Sequence, residues 1–243
     1  MKFQVSLFGD FSLLTPTEDN IKKCIEGFFS SGLLPGNLQE LNLQTNKMEP
    51  RLALQSMRNG LSVNILLNRI DFVATPLPGS PSASLTMEVF FDEVRKIAEQ
   101  LRKTFEITYK RMGVVCDKFL QEMSEDQLQQ LRKVFIKEAF DVIPDASIVE
   151  WSVRNVALIA FADPVNQEVN AIYNLSKVHV QLNDASGNRE FDTLLLNIDI
   201  NIPTEKRIAN LSAEFIDTFL TKTLEIQGNI NKGIGEVIQR ANN

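Results

Sequence analysis

Histidine occurs once in this chain and cysteine twice, and those two shortages remove much familiar chemistry. A closed tetrahedral zinc site needs four nitrogen or sulfur ligands, whereas Cys24, Cys116 and His179 stand at remote positions. A carboxylate-only Mg²⁺ site is the metal chemistry left open. The two cysteines give no disulfide framework, suit a reducing compartment, and read first as small buried apolar residues. A Ser-His-Asp or Cys-His arrangement would have one candidate base, His179, whose plainer reading is a half-exposed strand histidine between Val178 and Val180. No Gly-x-Gly-x-x-Gly follows a strand, and there is no phosphate-loop lysine motif. Trp151, Tyr109 and Tyr173 are scattered, where an aromatic cage would need them clustered. Excess basic charge is missing too. The net charge is −6, with both signs mixed along the chain, which works against non-specific nucleic-acid binding. No stretch approaches the ~18 apolar residues of a membrane span. Met1 to Ser6 alternates in polarity and lacks a signal peptide's apolar run. The expectation is a cytoplasmic protein without cofactor, membrane or nucleic-acid partner.

What the chain does have is period. Leu194, Leu196, Ile198, Ile200 and Ile202 share one parity, while Thr193, Asn197, Asp199 and Asn201 share the other. That alternation predicts a β-strand with one buried and one wetter face. Pro203-Thr204 should stop it, with Thr204 capping a helix that follows at once. Ile208, Leu211, Phe215, Phe219, Ile226 and Ile230 form that helix's apolar stripe. Gly228, Gly233 and Gly235 fall in its last turns and are expected to loosen them.

Earlier elements follow the same logic. Phe3, Val5 and Leu7 mark a first strand. Thr15-Pro16-Thr17-Glu18 reads as a capping box with proline at the first helical position, opening a helix with Ile21, Cys24, Ile25 and Phe28 inward and Gly32 as its stop. Four short strands then carry Leu41/Leu43, Leu52/Leu54, Leu61–Ile65 and Ile70/Phe72. Asn59-Gly60 favours a type I′ hairpin between the second and third. Thr75 to Pro81 is a loop by composition, and Met87, Phe90, Val94, Ile97 and Leu101 mark a helix. The order then begins again: a strand over 107–116, a helix opened by Ser124-Glu125-Asp126-Gln127, and β-rich sequence over 147–161, read as two strands bent near Arg154-Asn155. A long strand over 169–182 follows, with a bulge where its parity shifts between Leu175 and Val178. Asp184 to Asn188 is a turn. An offset of 107 positions pairs Glu18 with Glu125, Asp19 with Asp126 and Phe28 with Phe135. The expected fold is therefore α+β: two β-α-β4-α repeats, 1–105 and 106–243, with largely antiparallel sheets and helices packed on one side.

Doubled strand–helix–four strands–helix resembles the TATA-binding-protein-like fold in element order. Tyr109-Lys110-Arg111-Met112-Gly113-Val114-Val115 resembles the Arg-apolar-Gly-apolar-Arg strand of a sporadically distributed family of uncharacterised bacterial proteins of about this length. That family also ends in an apolar-Ile-Asp-apolar strand and a long helix, as Asn197-Ile198-Asp199-Ile200 does here. Val115 stands where the family often has its second arginine. The resemblance implies a prokaryotic protein and no particular activity.

The residues left for function are polar ones on strand faces: Asp71, Arg111, Glu150, Asn197, Asp199 and Asn201. They form either a solvated outer face or the polar floor of a groove, where paired carboxylates could bind a cation or move protons. Three function classes follow. The first is a non-enzymatic binding or assembly protein with a protein partner, or with a second copy in a homodimer that pairs open strand edges. The second is a small-ligand-binding module with a cavity between sheet and helix, and the third a carboxylate-based enzyme. Absent catalytic motifs favour the first.

Overall fold

The computed structural model describes residues 1–43, 45–56, 58–76, 83, 85–136, 148–162, 165–184 and 187–241. The elements are β1 (Lys2–Phe8), α1 (Glu18–Phe28), β2 (Leu33–Asn42), β3 (Lys47–Ser56), β4 (Ser62–Ile65), β5 (Arg69–Ala74) and α2 (Met87–Phe105). They continue as β6 (Arg111–Phe119), α3 (Glu125–Phe135), β7 (Ser152–Phe161), β8 (Gln167–Asp184), β9 (Gly187–Asn201) and α4 (Ala213–Ala241). The nine strands form one sheet in the order β2-β3-β4-β5-β1-β6-β9-β8-β7, with every neighbouring pair antiparallel. The α+β class with an antiparallel sheet is therefore the architecture observed. From the β1/β6 seam the order runs outward as β1-β5-β4-β3-β2 on one side and β6-β9-β8-β7 on the other.

The pleat puts alternate residues on opposite faces, and the register turns the sequence's alternation into rows across the sheet. Leu54, Val63, Phe72, Val5, Val114, Ile200 and Ala171 stand opposite one another in a buried row crossing seven strands. Against this face lie the helices, in contact in the order α1-α2-α4-α3. They contribute Cys24 and Phe28 from α1, Phe90, Val94, Ile97 and Leu101 from α2, Leu128 and Leu131 from α3, and Phe215 and Phe219 from α4. Ile25, expected in the α1 stripe, is exposed.

Several local expectations are corrected. The N-cap of α1 is Thr17, whose hydroxyl accepts from Asn20 N, so Thr15-Pro16 precedes the helix. Ser124 and Gln127 do form the reciprocal capping box of α3. Between β3 and β4 the hairpin is present, but only Gly60 of the Asn59-Gly60 pair has positive φ, so the turn is not type I′. Asn59 Oδ1 instead accepts from Leu61 N, closing an Asx turn in a longer loop. Within the described part of 147–161 there is one strand, β7, paired in unbroken register with β8 through Arg154 and Asn155 and preceded over 148–151 by chain in neither helix nor strand. β8 itself has no bulge, because its register with β9 is continuous from Asn170↔Asn201 to Asp184↔Gly187. Its parity shift has another cause. Beyond Ser176 the flanking β7 has ended, and β8 and β9 run on as a two-stranded ribbon without the sheet's single buried face. Of the expected loop and turn, residues 77–81 and 185–186 lie outside the described residues.

After β9, Thr204 does not cap a helix. Thr204–Lys206 is one 3₁₀ turn, and α4 starts only after Ser212, whose hydroxyl accepts from Phe215 N. The intervening segment is held by backbone bonds from Ile208 N to Lys110 O and from Leu211 N to Tyr109 O. Sequence periodicity carries no trace of such long-range pairing. α4 continues through Gly228, Gly233 and Gly235 to Ala241 without a break.

Candidate functional site

Among the described residues, the opposite face of the sheet carries no helix. Its register places Asn64, Asp71, Ser6, Gly113, Asn201 and Asn170 in one row across six strands. Gly113 is closely packed in this row, since a Cβ there would sit 3.1 Å from Asn201 Cβ and Asn201 would have to shift slightly. One pleat further along stand Val73, Gln4, Val115, Asp199 and Ile172, and beyond them Lys2, Asp117, Asn197 and Asn174.

These polar side chains are bonded to one another. Ser6 Oγ donates to Asp71 Oδ1 at 2.6 Å, and Arg69 Nε stands 2.9 Å from Asp71 Oδ2. Asn197 Nδ2 donates to Asp117 Oδ1 at 2.6 Å, and Asn201 Nδ2 to Asp199 Oδ1 at 2.8 Å. Asn170 Nδ2 reaches Asn201 Oδ1 at 3.3 Å. Asp71 and Ser6 are buried, while Asn197, Asp199 and Asn201 are half-buried. The result is a hydrogen-bonded surface whose groups are already oriented.

Of the six residues singled out from sequence, Asn197, Asp199 and Asn201 lie together on β9, on the helix-free face. Asp71 shares that face, but three strand spacings, about 14 Å, separate β5 from β9, too far for Asp71 and Asp199 to hold one ion. Glu150 is exposed on the approach to β7 and joins neither. Arg111 sits at the edge of the face, its guanidinium carbon 3.6 Å from the Phe8 ring centroid and its Nη1 donating to Ile202 O at 3.3 Å. Burial, and then the neighbouring Arg207, hold its pKa below the ordinary arginine value, while Asp199 acts in the opposite sense.

Sequence reading passed over three participants, Asp10, Lys110 and Arg207, which meet Arg111 in a cleft of about 190 Å³ with Phe8, Gly9 and Asn68. Its construction is a matter of backbone bonds. Gly9 N donates to Asn68 O and Lys110 N to Phe8 O, and the Ile208–Lys110 bond carries Arg207 to the same place. Gly9 cannot be replaced freely, because a Cβ would meet Thr108 O at 2.6 Å and the Phe11 ring at 2.7 Å. Lys110-Arg111 at a strand start was the only sequence signal, and a basic pair alone does not point to a cleft.

Elsewhere the chemistry is quiet. Burial pushes the Cys24 and Cys116 thiols up to about 11, so both stay protonated and unreactive near neutrality. His179 lies exposed on the β8–β9 ribbon, with Nδ1 2.8 Å from Asp192 Oδ1; that bond raises its pKa and favours the imidazolium. Among the described residues no serine or cysteine is hydrogen-bonded to it, and no group of three His, Cys, Asp or Glu side chains gathers in metal-binding proximity. Nor, among those residues, is any helix long and apolar enough to cross a membrane. Comparison with family models, with characterised proteins and with solved structures finds no match to this chain.

Proposed function

We propose that this chain is a non-enzymatic binding or assembly protein that works through the helix-free face of its sheet, with a second copy of the chain as the partner this face favours. The observation carrying the reading is the cross-strand polar network on that face. Side chains already bonded to each other lose little conformational entropy when a partner docks. The face also bears both charge signs: Lys2, Arg69 and Arg111 alternate across the rows with Asp71, Asp117 and Asp199. A surface of mixed sign can meet its own copy about a two-fold axis with opposite charges facing. The separation of Asp71, Asp199 and Glu150 speaks against the carboxylate-based enzyme.

Light scattering over a rising concentration series tests the self-association. The wild-type mass should climb from 27.4 kDa towards twice that value, and Asp199→Arg, which also breaks the bond from Asn201, should remain at the lower mass. A wild-type mass fixed at 27.4 kDa into the high micromolar range would refute the second copy as partner.

A further inference from the structure

At one end of the β1/β6 seam three cations gather around one cleft, where Asp199, on the neighbouring sheet face, acts on Arg111 and Asp10 lies beside Lys110. Lys110, Arg111 and Arg207 line the cleft there, against the single carboxylate of Asp10. Asp10 is committed elsewhere: its Oδ1 accepts from Ser12 N at 3.1 Å, and that bond is the first cause holding its pKa below the ordinary range. Arg207 is exposed and has no hydrogen bond or ion pair from its side chain to another described residue. Arg111 Nε is buried and also lacks a partner among the described residues, although its guanidinium is fixed by the Phe8 ring and by Ile202 O. A buried N–H with no acceptor is rare in folded proteins, since leaving it unmatched costs about 1–3 kcal/mol. Arg111 and Arg207 line the same cleft, and after burial Arg207 is the next cause lowering the Arg111 pKa, against the pull of Asp199; an anion in the cleft would relieve that repulsion.

We propose that the cleft formed by Phe8, Gly9, Asn68, Lys110, Arg111 and Arg207 binds a phosphate group in its dianionic form. Among the lining residues, three cations against one carboxylate leave a formal excess of two positive charges, which a phosphate dianion matches better than a carboxylate does. Guanidinium forks suit the oxygens of a phosphate, and the Lys110 ammonium adds a point charge beside them. A volume of about 190 Å³ admits the phosphate group itself, with the cleft's open side available to whatever the phosphate is attached to. This proposal is independent of the assembly reading, although Arg111, at the edge of the helix-free face, belongs to both surfaces.

Isothermal titration of the full chain with inorganic phosphate, at low ionic strength and a pH where phosphate carries two charges, is the test. Saturable binding to one site is expected. Arg207→Ala should weaken it roughly tenfold or more, the scale of one lost charge-assisted contact. Since Arg207 is exposed, the variant should fold as the wild type does, which circular dichroism checks. Arg154→Ala, on β7 and outside the cleft, should bind as the wild type does, and acetate should bind much more weakly than phosphate. The proposal is overturned if no saturable binding occurs, if Arg207→Ala binds as well as the wild type, if Arg154→Ala weakens binding as much as Arg207→Ala, or if acetate binds as tightly as phosphate.

Discussion

Phe219→Ala is expected to lower the unfolding free energy by about 3–5 kcal/mol, the range for emptying a buried aromatic site. Phe219 is fully buried on α4, with ring centroids 5.6 Å from Phe161 at the end of β7 and 6.5 Å from Phe215 one turn earlier. The ring thus fastens the last helix to the far half of the sheet. Both flanking rings are themselves fixed, Phe161 by strand pairing and Phe215 by the helix, so the site cannot collapse to fill the void. Urea titration followed by circular dichroism measures the loss. Phe119→Ala is the matched control, because that ring is 45% exposed at the end of β6 and should change stability by less than about 1 kcal/mol. Equal effects of the two would mean that α4 does not rest on the sheet in this way.

Arg51→Ala should be the most damaging loss of a charged side chain, at about 2–3 kcal/mol. The Arg51 side chain is only 3% exposed, with Nε 2.8 Å from Glu40 Oε2 and Nη2 2.8 Å from Glu49 Oε2. Glu40 and Glu49 are directly opposed across β2 and β3, so removing the guanidinium leaves two carboxylates facing each other, an unfavourable cross-strand pair. Glu40 cannot easily turn away, since its Oε2 also accepts from Leu67 N at 2.9 Å. The estimate falls below the 3–5 kcal/mol typical of breaking a fully buried pair, about a third of Glu49 being open to water. Adding Glu49→Gln to Arg51→Ala should recover part of the loss, and a double-mutant cycle reads the coupling directly. Should Arg51→Ala cost less than about 0.5 kcal/mol, as an ordinary surface change does, the buried ion network would not exist as described.

How far the sequence foretold all this depends on whether a feature was local. The alternation at Leu194 to Ile202 is local, and Leu194, Leu196, Ile198, Ile200 and Ile202 are all buried, with Asn197, Asp199 and Asn201 on the other face. Thr193 departs from its wetter parity because its hydroxyl reaches the backbone oxygens of Leu120 and Gln121, a contact between residues distant in sequence. The Ser124–Gln127 capping box is equally local and forms as its spacing demands. Thr204 failed as a cap for the opposite reason. The chain from Arg207 to Leu211 is held by the Tyr109–Lys110 backbone, and that tertiary demand delays the helix to Ala213. The same bonds deliver Arg207 to Arg111, so the cleft could not have been read from spacing. Arg51 was hidden by its neighbours, for a charged residue beside Leu52 and Leu54 looks like a solvated strand position until the β2–β3 register brings Glu40, opposite Glu49, diagonally within reach.

The claim that the helix-free face is the working surface is tested most directly by carboxylate footprinting of dilute and concentrated protein. Carbodiimide labelling of Asp117 and Asp199 should fall on concentration, while labelling of Asp217, which is 61% exposed on the helical side, should stay constant. Protection of Asp217 with Asp117 and Asp199 unchanged would put the contact on the helices and contradict the account.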